Sequence, residues 1–131
     1  TVSEQATIRT EFAALLSEQL GIPVAAFVPG TLRTPSGYLQ DGAPYMDFTG
    51  DGAAFKRPAL RLKLVLVSPA ADWERAMTWI DDKVEALRST PRSLVGGHVR
   101  PTITAVISLG VLDTKSLGFE VSFAPLQLGA P

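Results

Sequence analysis

Apolar residues in the first twenty positions recur at helical spacing. Ile8, Phe12, Leu15, Leu16 and Leu20 fall on one face, which predicts an amphipathic helix over Ser3–Leu20. Thr1 or Ser3 can cap it, and Thr1-x-x-Glu4 fits a capping box. Its stop is marked three times: Gly21 suits a left-handed C′ position, Ile22 can fold back, and Pro23 bars continuation. Val24–Val28 then predicts a short strand ended by Pro29-Gly30.

A different period governs residues 60–67. Leu60, Leu62, Leu64 and Leu66 alternate with Arg61, Lys63, Val65 and Val67, so a strand with one leucine face is expected. Ser68-Pro69 is expected to start a second helix, since proline suits a first turn. Within it Trp73, Ala76, Met77, Ile80, Val84 and Leu87 form a stripe that should meet the leucine face as core. Glu74, Arg75, Asp81, Asp82, Lys83 and Glu85 occupy the opposite, solvated side. After a linker at Thr90–Pro101, Thr102–Leu109 and Leu117–Phe123 alternate as two more strands. The Asp113–Ser116 stretch should reverse the chain and make them antiparallel.

Residues 30–58 follow neither period. They carry Pro35, Pro44 and Pro58, five glycines, and Tyr38, Tyr45, Phe48 and Phe55. A long segment of this kind inside a small domain is usually functional, and its aromatics need something to pack on. An extended arm or loose hairpin is expected over 31–57, with Tyr45–Phe48 as a strand and Thr49–Gly52 as its turn. On this reading the arm touches a neighbouring subunit, and a domain lacking 36–54 should still fold.

Together these elements predict one α+β domain across 1–131. It has a single mixed, mainly antiparallel sheet of about four strands, two helices on one face, and the extended arm. At 131 residues it buries roughly two-thirds of its unfolded surface.

Composition sharpens this picture. Hydrophobic residues make up 46% and charged residues 19%, below the ~25% charge usual for soluble domains. Such a chain has apolar surface to spare, and a subunit partner is the common remedy. A net charge of −1 gives no global electrostatic case for nucleic acid or an anionic membrane. The chain has no cysteine, which removes thiol chemistry and fits a cytosol-assembled particle. Apolar runs such as Leu64–Val67 are far too short to span a bilayer.

Candidate chemistry is sparse. Asp47-Phe-Thr-Gly-Asp-Gly52 resembles the start of a calcium loop, but its twelfth position is Pro58 and no helices flank it; a glycine-rich turn explains it. His98, the single histidine, follows Gly96-Gly97 and has no nucleophile context. Neither a metal nor a cofactor is expected. Lys56, Arg57, Arg61 and Lys63 make a local basic patch, while Asp41, Asp47 and Asp51 make the arm acidic. One reading pairs these sets across a subunit boundary, where they orient a contact; the other is a solvated sheet face and ordinary turn chemistry. The candidate interface residues are therefore Tyr38, Asp41, Tyr45, Asp47, Phe48, Asp51, Phe55, Lys56, Arg57, Arg61 and Lys63.

In its overall pattern the chain resembles a tail terminator, or tail completion, protein of long-tailed bacteriophages (siphoviruses) of the actinobacterial-phage type. The residues that carry this are the leading helix with Phe27-Val-Pro29, the Pro/Gly-rich run into Leu60–Pro69, the Asp72-Trp-Glu-Arg-Ala helix with Ile80-Asp81, and the final strands with Phe123-Ala-Pro-Leu-Gln-Leu128. The resemblance implies a small α/β fold and a non-enzymatic virion protein. It implies a homo-oligomeric ring, generally a hexamer, at the head-proximal end of the tail, assembled in the host cytoplasm. The ring would cap the tail tube protein, stop its growth and receive the head–tail connector, with DNA only passing through its lumen. A head–tail adaptor, or neck, subunit is the alternative among virion proteins, and a small intracellular α+β dimer binding a metabolite is the alternative outside them.

Overall fold

The computed structural model describes residues 3–30, 35–47, 59–70, 72–89, 94–95, 98–99, 101–112 and 116–128. Helix α1 spans Glu4–Leu20 and α2 spans Trp73–Ser89. The strands are β1 (Val24–Ala25), β2 (Ser36–Asp47), β3 (Ala59–Val67), β4 (Leu94–Val95), β5 (His98–Val99), β6 (Ile103–Val111), β7 (Leu117–Phe123) and β8 (Leu126–Gln127).

Both ends of α1 follow the sequence. Ser3 Oγ accepts from the Ala6 N–H at 3.2 Å, so Ser3 takes the cap; Thr1 lies outside the described residues. Gly21 adopts φ 68° and its N–H donates to the Ser17 carbonyl at 3.0 Å, a left-handed ending that a Cβ would strain. Helix α2 begins later than the proline suggested. Asp72, not Ser68, caps it by accepting from the Arg75 N–H at 3.2 Å. Residues 68–70 instead bond to the start of β7: Ser68 N–H to the Leu117 carbonyl, and Leu117 N–H to that of Ala70. Those bonds leave Pro69 outside the helix.

The main sheet has six strands in the order β1-β2-β3-β7-β6, with β8 also pairing β3. Among the described pairings of this sheet only β1–β2 is parallel; the others are antiparallel. The sheet is thus mixed and mainly antiparallel, and it exceeds the expected four strands by the two-residue pieces β1 and β8. Val24–Val28 gives only Val24–Ala25 as strand, and the linker holds a small β4–β5 hairpin, with His98 on β5.

Residues 36–47 correct the free-arm expectation. They form β2, paired with β3 from Ser36↔Val67 to Asp47↔Ala59, with an irregularity between Asp41 and Met46. The alternation Tyr38-Leu39-Gln40 puts Leu39 in the core at 2% exposure. A strand that shares a ladder with the central β3 is part of the fold, so removing 36–54 should unfold the domain. The expected Thr49–Gly52 turn, and residues 31–34 and 48–58, lie outside the described residues.

One cluster forms the core. Ile8, Phe12, Leu16 and Leu20 of α1 and Ala76, Ile80 and Leu87 of α2 meet Leu60, Leu62, Leu64 and Leu66 of β3 and Leu117, Phe119, Val121 and Phe123 of β7. Both helices therefore cover the leucine face, as the alternation required. The stripe on α2 is only partly core, however. Trp73 is 53% and Met77 42% exposed, whereas Ala76 between them is fully buried, because Trp73 and Met77 lie on one flank of the stripe whose centre is Ala76, Ile80 and Leu87.

Candidate interaction surface

The expected interface residues fall into three groups. Phe48, Asp51, Phe55, Lys56 and Arg57 lie outside the described residues. Tyr38, Arg61 and Lys63 stand on the sheet face opposite the helices. Asp41, Tyr45 and Asp47 lie along β2. The structure brings several of the charges together within the chain. Arg61 Nη2 lies 3.4 Å from Asp47 Oδ2, and Lys63 Nζ lies 3.4 Å from Glu120 Oε1. These two cations thus have partners within their own subunit. Both pairs are partly solvated, and such pairs contribute little to stability. Tyr38 opposes Val65, which in turn opposes Glu120. Burial, and secondarily the Glu120 charge, raise the Tyr38 phenol above its ordinary pKa. Tyr45 accepts a hydrogen bond from Arg9 of α1.

Arg9 organises the β1 end of the sheet. Its guanidinium lies 4.8 Å from the Phe27 ring centre and 5.3 Å from that of Tyr45. Phe27, just beyond β1, is nevertheless 63% exposed, and Val28 is 57% exposed. The result is an aromatic knob with a cation held against it.

The other edge presents a groove. Among the described strands, β6 pairs only with β7 in the main sheet, so none of them covers the other side of its backbone. Its register sets Val106 against Val121 and Ser108 against Phe119, which points both toward the helical layer. Helix α2 stops short of covering them. Met77, Ile80 and Val84 of α2 and Val106 and Phe119 of the sheet line a cleft of about 470 Å³, with Asp81, Glu85 and Arg88 at its rim. Along β6, Val106, Ile107, Leu109 and Val111 are all exposed. Sequence periodicity missed this surface because a strand of alternating β-branched residues looks the same whether one neighbour covers it or none. The signal available was the absence of any charge between Thr102 and Leu112, unusual for a solvated edge.

Among the described residues, no group of three or more His, Cys, Asp or Glu is placed to hold a metal. None of the described helices is long and apolar enough to cross a membrane.

No protein-family model matches the sequence, and no curated protein matches it. Among solved structures, the chain is similar to one in the virion of a native gene transfer agent particle. The identity is 19% and the TM-score 0.46, over 95% of this chain and 94% of that one. At that level of similarity, function rests on this chain's own residues and surface.

Proposed function

We propose that this chain is a non-enzymatic structural subunit of a virion. In this reading it forms a ring that caps the tail tube of a long-tailed phage, ends tube growth and offers a surface to the head connector. The observation that carries the reading is the row of apolar side chains left in water along β6 and the start of α2. Val106, Ile107, Leu109, Val111, Trp73 and Met77 are all at least 37% exposed. Singly exposed apolar residues are ordinary, but Met77 and Val106 line one cleft, and so many exposed apolar residues on one strand and the helix beside it mark a protein partner. The resemblance of the sequence pattern to tail terminators supports a tail-end ring as that assembly.

Each face then has a task. The two sheet edges serve ring contacts. The polar sheet face with Tyr38, Arg61 and Lys63, and the segment through Asp41, Tyr45, Asp47, Phe48, Asp51, Phe55, Lys56 and Arg57, serve contacts with the tube or the connector. The lumen passes DNA without binding it, in keeping with a net charge of −1. The test is electron-microscopic imaging of tail tubes assembled with the cognate tube protein and this chain. A ring of extra density at one tube end is expected; density along the tube wall, or none, contradicts the reading.

A further inference from the structure

We infer that successive copies of this chain join head to tail, with the Phe27 knob of one seated in the α2–β6 groove of the next. The inference rests on the ring reading above and names the contact that would build the ring.

Three observations meet here. First, the knob and the groove are at opposite ends of the strand order, beside β1 and β6 respectively. A contact between them leaves one copy with a free groove and the other with a free knob, so it repeats. Such a heterologous contact closes into a ring or runs on as a filament, depending on its rotation.

Second, the charges match. The knob carries the Arg9 guanidinium against Phe27. The groove is apolar at its floor and has Asp81 and Glu85 at its rim. Arg88, also at the rim, lies 3.4 Å from Glu85, which leaves Asp81 as the carboxylate facing an incoming cation. Seating Phe27 would bury its ring beside Ile80 and Phe119 and bring Arg9 toward that rim. An aromatic with an attendant arginine is the usual kind of interface anchor.

Third, β6 is badly suited to the main alternative, continuous strand addition along its open edge. Its register shifts between Ile103 and Ala105 and again between Ser108 and Gly110, and Gly110 adopts φ 77°. Bulges of this kind break the flat row of donors and acceptors that a neighbouring strand needs. The side-chain groove is what stays open.

The absence of cysteine makes the test clean. Val28→Cys places a thiol beside the knob, and Arg88→Cys places one at the groove rim. Under mild oxidation, with and without tail tubes, the double variant should give a ladder of cross-linked multimers. Either single variant should stay monomeric on a denaturing gel, and mixing the two should give a dimer and nothing longer. Adding Phe27→Asp to the double variant should abolish the ladder while leaving its melting temperature within a few degrees, because Phe27 is mostly exposed. Rings imaged at tube ends without the cross-link overturn the contact but not the capping function. Cross-linked dimers from one single variant alone indicate a two-fold contact and overturn the head-to-tail geometry. A double variant that stays monomeric in every condition overturns it too.

Discussion

Phe12 of α1 and Phe123 of β7 meet edge to face, their ring centres 5.0 Å apart at 67°. This contact ties the first helix to β7, the fourth strand in the order of the main sheet, across more than a hundred residues of chain. Phe12 is fully buried, and an edge-to-face pair adds about 0.5–1.5 kcal/mol to what area burial gives. Phe12→Ala should therefore destabilise the domain by roughly 3–5 kcal/mol, read as a shift in the urea midpoint at constant slope. A loss under about 1 kcal/mol would mean that α1 docks independently of β7.

Trp73 and Ile80 sit two helical turns apart on one stripe but belong to different environments. Ile80 is 2% exposed, whereas Trp73 is 53% exposed. Ile80→Ala should cost roughly 2–5 kcal/mol through lost burial and a cavity. Trp73→Ala should cost less than about 1 kcal/mol yet weaken self-association in sedimentation. Equal losses of stability would show that Trp73 is part of the core.

Lys83 of α2 reaches across to α1, and its ammonium donates to the Leu20 carbonyl at 2.9 Å. That carbonyl is among the last of the helix and lacks an intrahelical donor. A cation at a helix C-terminus also favours the helix dipole. Lys83→Met keeps most of the stem and removes the charge. It should lower stability by about 0.5–1.5 kcal/mol, and high salt should shrink the difference between wild type and variant.

The Tyr38 phenol is raised above its ordinary pKa by burial, then by Glu120. The folded state therefore favours the neutral phenol more than the unfolded state does. The associated stability is fully present below the unfolded phenol pKa of about 10. It is lost as pH rises through the folded pKa. Wild-type melting temperature should fall more steeply than that of Tyr38→Phe across this alkaline range, and the two should run parallel at neutral pH. Glu120→Gln should bring the Tyr38 transition, followed by phenolate absorbance, back toward lower pH. Superimposable alkaline melting profiles for wild type and Tyr38→Phe would contradict this environment for Tyr38.

Much of the fold is legible in the chain. Ser3 and Gly21 mark α1 because their backbone preferences act locally, and Leu60 to Leu66 mark β3 because alternation needs only one covered face. The same local rules misplace what tertiary bonds decide. Pro69 suits a helix start, but Ser68 and Ala70 bond to Leu117 instead, so Asp72 takes the cap. Residues 36–47 look like an arm because Gly37, Gly42 and Pro44 weaken strand propensity; pairing with β3 overrides it. Tyr45 emerges as an interface candidate from the sequence, but Phe27 does not. Its exposure follows from β1 ending at Ala25, which no periodicity shows. Arg61 and Lys63 read as free basic residues because their partners, Asp47 and Glu120, are distant in sequence.

The proposed capping function is tested most directly by the length distribution of tail tubes growing in the presence of increasing amounts of this chain. Added chain should stop elongation, so that mean tube length falls with its concentration. Phe27→Asp, aimed at the proposed ring contact and at a mostly exposed residue, should leave the tubes long. Tube lengths unchanged by the wild-type chain at saturating concentration would contradict it.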